Sequence, residues 1–387
     1  MLIYQESLSS MGRFLLLGVQ GGLDRLEQVE FWGLYQTLGD DACFVAAEQN
    51  QIAALVAHQL VNAADEEPAP RWRSLLRGNR QRVERLVEVL GSLTCYFDER
   101  EIGWALIENG GVLFGSDMPL EAFCAGDFDI IVTQSRWDEV VKIFAAEGFE
   151  PQDRRHRPTN RVEFVRTLPD GTQQWINAGF LTFDRMWVPL PVVDLGQVWL
   201  SRRVRSRKNS NIWVLRAEDS LALVAMHTSL HSFIRAPGVR LHVDVDRLVR
   251  DNPIDWDEAI DQNRLMGVPT RAFTSLSMAR GLLNSPIPEP ILSALFPGRS
   301  RWAIVERLLA TNSVILNDSF KLGRFQTLLL DALIDERPVW SWLSSIIWPD
   351  HQWLYNHFSD DPNDLEERRF YLHAKRYYEM VRRWKPS

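Results

Sequence analysis

Residues 126–132, Gly-Asp-Phe-Asp-Ile-Ile-Val, carry two carboxylates at alternate positions and end in a wholly apolar run. The pattern predicts a central β-strand, because side chains alternate between strand faces and a doubly apolar run belongs inside a sheet. Asp127 and Asp129 then share one face, while Phe128 and Ile130 point into a core on the other. Two like charges this close cost free energy unless a cation neutralises them. Oxygen-ligated divalent ions, commonly Mg2+ bound with a nucleoside triphosphate, are the usual partners.

A glycine pair precedes this strand. The segment Gly-Trp-Ala-Leu-Ile-Glu-Asn-Gly-Gly (103–111) predicts a strand that runs into a turn at Gly110 and Gly111. Glycine at such a turn lets backbone N–H groups approach phosphates, since no side chain intervenes. The alternative is a plain tight turn followed by a solvated edge strand.

The next segments complete a small α/β unit. A helix is predicted over 137–147, after which residues 161–167 and 173–180 predict two strands. Asp170 and Gly171 lie between them and are typical of a β-hairpin turn. We expect a β-β-α-β-β unit over about residues 102–183, with a mixed sheet and one packed helix.

Apolar residues recur at helical spacing on both sides of this unit. The 387 residues exceed the ~250–300 at which single hydrophobic cores stop growing, so several domains are expected. We predict an α+β protein with a helical N-terminal region (1–100), an α/β core (101–200) and a helical C-terminal region (201–387).

Charge and cysteine content limit the functional classes. The net charge of -8 disfavours general nucleic-acid binding, which needs a basic surface. The three cysteines, Cys43, Cys95 and Cys124, are far apart, which favours reduced thiols and a cytoplasmic location. No stretch approaches the ~20 apolar residues of a membrane helix, so no membrane partner is expected.

The order of these motifs resembles the nucleotidyltransferase superfamily with the DNA-polymerase-β-like fold. More narrowly, it resembles a bacterial family of uncharacterised nucleotidyltransferases. The resemblance is carried by residues 47–60, 102–111, 126–132 and 225–260 and by a closing segment at 346–379. It implies Mg2+-dependent transfer of a nucleotidyl or phosphoryl group from an NTP to a small-molecule, sugar or peptide acceptor.

The same resemblance assigns roles to particular residues. Asp127 and Asp129 would bind the metal and act in catalysis, and Asn109, Gly110 and Gly111 would border the nucleotide. Asn109-Gly110 replaces the Lys-Gly that relatives tend to carry, so a cationic phosphate contact is missing. The arginine that commonly precedes Gly-Asp-x-Asp is also missing.

The resemblance also implies a third acid on the hairpin, but the matching position holds Asn177. Glu163, on the partner strand, is predicted to replace it as a catalytic residue. The alternative function is a catalytically lapsed relative that binds a nucleotide or a partner protein as an assembly factor.

Three further features each allow two interpretations. His227 and His231 have the spacing of a metal pair on one helical face, but nearby carboxylates do not complete a site, which favours a structural role. The tryptophan-rich segment 340–353 predicts packing, with a partner-binding surface as the alternative. A basic segment could bind phosphates or an acidic substrate, or remain solvated; its cations are Arg202, Arg203, Arg205, Arg207 and Lys208.

Overall fold

A computed structural model of the chain describes residues 9–62, 67–152, 161–180, 193–234, 237–310, 315, 324–358 and 369–383. Within these residues, helices flank a mixed β-sheet, so the predicted α+β fold with helical N-terminal and C-terminal regions is confirmed. The domain boundaries at residues 100 and 200 stay a prediction.

The N-terminal region is a set of packed helices. The second of them begins with a capping box, in which Asp24 accepts from the backbone N–H of Glu27 and the Glu27 side chain accepts from that of Asp24. The long fifth helix begins at Pro70, whose fixed φ suits a first helical position. The helices are α1 (Ser10–Val19), α2 (Arg25–Leu38), α3 (Asp40–Gln49), α4 (Ala53–Asn62) and α5 (Pro70–Glu99).

The α/β unit follows, and the predicted strands and hairpin are confirmed. Gly171, with φ +81°, supplies the left-handed residue of the hairpin turn. Residues 181–183, the end of the predicted unit, lie outside the described residues. The strands are β1 (Trp104–Ile107), β2 (Asp127–Val132), β3 (Glu150–Pro151), β4 (Arg161–Thr167), β5 (Gln173–Gly179), β6 (Val204–Arg205) and β7 (Trp213–Val214); the helices are α6 (Glu108–Gly115), α7 (Trp137–Ala146) and α8 (Gly196–Ser201).

Among the described residues the strands form one seven-stranded sheet in the order β3-β4-β5-β2-β1-β7-β6. Strand β2 is central, antiparallel to β1 and parallel to β5. On one face Phe128 packs within the main hydrophobic core, with Phe114 and Phe123 beside it. On the other face Ile131 joins a second apolar cluster with Met226. Both faces are covered, as an apolar central strand requires.

The C-terminal region is helical. The helices are α9 (Ala217–Leu230), α10 (Val239–Asp251), α11 (Trp256–Leu265), α12 (Pro269–Leu283), α13 (Glu289–Leu295), α14 (Arg299–Ala310), α15 (Arg324–Ile334), α16 (Val339–Ile347), α17 (His351–Phe358) and α18 (Arg369–Arg383). Helices α9 and α10 pack against α6 and so border the sheet beside β2. Within the described ranges, no helix has the length and apolarity needed to cross a membrane.

The prediction of a glycine turn after β1 is wrong. Gly110 and Gly111 lie in the first turn of α6, which starts directly at the end of β1. Glu108 absorbs the change of direction, because its φ of +50° places it in the left-handed region. The glycines allow α6 to pack closely: a Cβ on Gly110 would lie 3.0 Å from Cδ1 of Phe128.

Candidate functional site

The two aspartates of β2 lie beside an asparagine of β5. The parallel register pairs Asp129 with Asn177 and Asp127 with Trp175, so the three polar side chains share one face. Nδ2 of Asn177 donates to Oδ2 of Asp127 at 2.8 Å and to Oδ1 of Asp129 at 3.0 Å. The prediction that Asp127 and Asp129 face the same way is therefore confirmed.

A third carboxylate, Glu108, belongs to the same cluster. It is buried at the start of α6, where Nη1 of Arg161 donates to its Oε1 at 3.1 Å. Nδ1 of His227, on α9, lies 3.1 Å from its Oε2. The left-handed backbone at Glu108 is a strained conformation that these two partners hold in place.

Arg161 connects the two buried carboxylates. Its Nη2 donates to Oδ1 of Asp129 while Nη1 bonds to Glu108. The planar guanidinium suits this task because its donors are fixed in a fork. The resulting chain runs from His227 through Glu108 and Arg161 to Asp129.

The charges in this cluster perturb one another. Burial, followed by the negative charge of Glu108, raises the pKa of Asp129 to about 7. Burial alone would lower the pKa of His227, but the Glu108 carboxylate outweighs it and the net shift is upward. Burial likewise opposes the charge of Arg161, yet Glu108 and Asp129 together raise its pKa. The cluster thus carries both the negative charge and the cations that compensate it.

The predicted nucleotide-binding residues lie next to this cluster. Ile107, the residue before α6, pairs with Asp129 across the antiparallel β1–β2 register. The first turn of α6, with Asn109, Gly110 and Gly111, therefore lies at the edge of the carboxylate cluster. Backbone N–H groups in a first helical turn lack intrahelical acceptors, which makes them natural partners of an anion.

Asn109 also lines a small cleft between α4, α6, α10 and the loop before β2. Its walls are largely apolar, and its charged members are Arg240 and Asp244 of α10. Among the described residues, none accepts a hydrogen bond from the buried Nε of Arg240. Burial raises the pKa of Asp244 to about 6. The remaining lining residues are Leu55, Met118, Ala122, Phe123, Cys124, Ala125 and Val243.

The residues present suit a metal ion that arrives with its nucleotide. Within the described parts of the chain, no group of three or more His, Cys, Asp and Glu is arranged to hold a metal by itself. The adjacent carboxylates of Asp127 and Asp129 are therefore the candidate metal ligands. Mg2+ is usually held by one or two carboxylates together with substrate phosphates, so this donor set fits a nucleotide-carried ion.

A family model described as uncharacterised nucleotidyltransferase matches residues 39–284. The chain belongs to this family. The matched range contains β1 to β7, the carboxylate cluster, His227 and His231, so the site lies inside the shared region. The resemblance inferred from the order of the motifs is confirmed over residues 39–284, and the closing segment at 346–379 lies outside the match.

The chain also has a relative among solved structures. It is similar to an antigenic nucleotidyltransferase-like protein from Paracoccidioides brasiliensis, at 16% sequence identity and a TM-score of 0.36. The match covers 56% of this chain and 98% of the other. No curated protein matches the chain.

Glu163 lies on the expected face of the sheet. Its antiparallel register partner is Asn177, which is also the partner of Asp129, so its side chain starts on the face of the two aspartates. One strand separates it from β2. Its role as third acid stays a prediction.

Sequence reasoning missed Glu108 and Arg161. Arg161 is two residues before Glu163 and so shares its face, which was the available signal. Glu108 was assigned to a strand leading into a turn, and its contacts with Arg161 and His227 join positions that are distant in the chain. His227 was noted for its spacing to His231, and their rings lie 4.9 Å apart, but its partner in the site is Glu108.

The basic segment makes contacts within the protein. Arg202 pairs with buried Asp219 and, at 2.6 Å, with Glu258. The other four cations also have internal partners: Arg203 and Arg205 lie over the ring of Trp213, Arg207 bonds to Asn252, and Lys208 donates to the backbone carbonyls of Leu113 and Met118. These contacts favour a structural role over phosphate binding.

Proposed function

We propose that this nucleotidyltransferase-family protein transfers a nucleotidyl or phosphoryl group from a Mg2+-bound NTP to a small-molecule, sugar or peptide acceptor. The observation that carries the proposal is the placement of Asp127 and Asp129 on one face of the central strand, at the edge where α6 begins. This arrangement joins a two-carboxylate metal position to a helix N-terminus that favours phosphate oxygens.

Each residue has a definite task in this reaction. Asp127 and Asp129 would hold the ion, and the first turn of α6, from Asn109 to Gly111, would border the triphosphate. When bound, the ion supplies positive charge to the phosphate oxygens. In nucleotidyl transfer the acceptor oxygen bonds to the α-phosphorus, pyrophosphate leaves, and the acceptor proton passes to a base. Glu163 is the proposed base, and Glu108 is a second candidate because it already belongs to the cluster.

One observation favours a second function. The position of the expected third acid holds Asn177, which donates to both aspartates, and Arg161 already pairs with Asp129. A chain with this arrangement could bind a nucleotide or a partner protein as an assembly factor without turnover. Binding and turnover must therefore be measured separately.

Isothermal titration with Mg2+ and a non-hydrolysable ATP analogue tests the binding step. Wild-type protein should bind, and Asp129→Ala should remove binding because the buried metal ligand is lost. Asp257→Ala, at an exposed position of α11, is the matched control and should bind as the wild type does. Equal binding by Asp129→Ala, or none by the wild type with any NTP analogue, would reject the proposed site.

Mass spectrometry of candidate acceptors, incubated with protein, Mg2+ and each NTP, tests turnover. A mass increase equal to a nucleotidyl or phosphoryl group supports the transferase function. Binding without any modified acceptor supports the assembly-factor function instead.

A further inference from the structure

Arg161 reaches the carboxylate cluster from a distant strand. It belongs to β4, two strand spacings or about 10 Å from β2. Its register partner on the intervening strand β5 is Gly179. Because glycine has no side chain, the long arginine crosses the sheet surface at this point and its guanidinium meets Asp129.

The guanidinium of Arg161 neutralises two buried carboxylates, Glu108 and Asp129, that would otherwise need another cation. The side chains of Glu108 and Asp129 are 8% and 4% exposed, and each bonds to one of its terminal nitrogens. Buried carboxylates without a cation are strongly destabilising, so Arg161 supports the metal-free fold. Its own side chain is 27% exposed, so Arg161 is not fully enclosed by the protein. Arginine carries five N–H donors, more than these two contacts use.

The place where a third acid would complete a second metal position holds the amide of Asn177. Its Nδ2 donates to Asp127 and Asp129, so it adds no negative charge. In two-metal sites, ions about 3.5–4 Å apart clamp the attacking and leaving oxygens of a phosphoryl group. In this protein, Asp127 and Asp129 provide the carboxylates for one ion. The guanidinium of Arg161, which is a permanent cation, already contacts Asp129.

We propose that Arg161 takes the place of a second divalent cation, so that the nucleotide binds with one metal ion per chain. This inference rests on the proposed nucleotide site and specifies its cations. The guanidinium keeps Asp129 and Glu108 neutralised before the nucleotide arrives and then offers its remaining N–H donors to phosphate oxygens. The positive charge is thus supplied by the chain itself.

Mn2+ binding followed by electron paramagnetic resonance tests the inference, since free and bound Mn2+ are distinguished directly. With a saturating non-hydrolysable ATP analogue, the wild type should bind one Mn2+ per chain at the site, and Arg161→Gln should bind two. Without nucleotide, Arg161→Gln should bind Mn2+ at least about tenfold more tightly than the wild type, because its carboxylates have lost their cation.

Two further variants keep the test decisive. Arg166 lies on the same strand but points to the opposite face, where it contacts Gln174. Arg166→Gln should therefore bind Mn2+ as the wild type does. Arg161→Lys keeps the charge without the planar fork and should still bind one ion with nucleotide, even if Arg161→Gln does not fold.

Two Mn2+ ions in the wild type, or unchanged Mn2+ binding by folded Arg161→Gln, would overturn the inference. Failure of the wild type to bind nucleotide would reject the proposed function instead. The nucleotide-free Mn2+ comparison would then still decide whether Arg161 holds the position of a cation.

Discussion

Asn177 lies directly across the β2–β5 pairing from Asp129, and its side-chain amide donates to Oδ1 of that aspartate at 3.0 Å. The same nitrogen also reaches Asp127, so one neutral group satisfies two adjacent carboxylates. The amide thereby lowers the cost of holding both charges in the absence of a metal ion. A carboxylate at this position would raise that free-energy cost, because it would add a third negative charge.

Asn177→Asp should convert the cluster into a three-carboxylate metal site. In the absence of metal we expect its free energy of unfolding to fall by about 1–3 kcal/mol, because two hydrogen bonds are lost and a like charge is added. Added Mg2+ should restore much of that loss. Urea unfolding with and without Mg2+ measures both effects.

Asn177→Ala is the control for this substitution. It removes the same hydrogen bonds but adds no charge, so it should be destabilised without any recovery in Mg2+. If Asn177→Asp were as stable as the wild type and indifferent to Mg2+, Asn177 would have no bearing on a metal site.

Glu163→Gln tests the predicted third acid. If Glu163 accepts the acceptor proton, the rate of nucleotidyl or phosphoryl transfer to the acceptor should fall by about 10²–10⁴-fold, the typical effect of general-base assistance. Nucleotide binding should change little, because the base does not hold the nucleotide. Glu108→Gln, assayed in parallel, identifies which acid acts: a large loss there with full turnover by Glu163→Gln would transfer the role to Glu108.

Gly110→Val should destabilise the fold as well as the nucleotide site. Its Cβ would lie 3.0 Å from Cδ1 of Phe128 and 3.2 Å from Cδ2 of Leu106. Overpacking of this kind typically costs about 1–3 kcal/mol. Gly115→Val, at the other end of α6, is the control, since its added Cβ would meet no described residue within 4 Å beyond its chain neighbours and its own helix backbone. Equal unfolding free energies for the two variants would show that the tight packing of Gly110 does not matter.

Stability in mild acid should depend on His242. This buried side chain, whose Nε2 lies 2.8 Å from the carbonyl oxygen of Phe233, has its pKa lowered by burial to about 4. The unfolded chain takes up its proton near pH 6.5, so the native state loses stability as the pH falls from 6.5 toward 4. The total effect is about 3 kcal/mol, from 1.36 kcal/mol for each pKa unit.

His242→Gln removes this titration and retains a donor for the carbonyl. Its unfolding free energy relative to the wild type should therefore rise by up to about 3 kcal/mol between pH 7 and pH 4. Urea unfolding at several pH values measures the difference. Parallel pH profiles for the two proteins would exclude His242 as the cause of acid sensitivity.

Part of the site could be predicted because it depends on local periodicity. The alternation in β2 places Asp127 and Asp129 on one face whatever surrounds them. The Asp170-Gly171 turn sets the hairpin register that brings Glu163 opposite Asn177. The helical conformation of Gly110 and Gly111 was harder to predict, because a strand that leads straight into a helix has no distinct turn signal.

Local sequence determined the order of strands and helices, the family pattern and the shared face of the two aspartates, since each depends on neighbours a few residues apart. Only the tertiary structure decided which groups neutralise those aspartates. Arg161 is 32 residues from Asp129 and 53 from Glu108, and His227 arrives on a helix of the C-terminal region. The contacts of Arg161 and His227 with the buried carboxylates depend on the sheet order and on the packing of α9 against α6. Long-range packing thus set the charge balance of the site, because burial and Coulomb energies depend on distance in space rather than on distance along the chain.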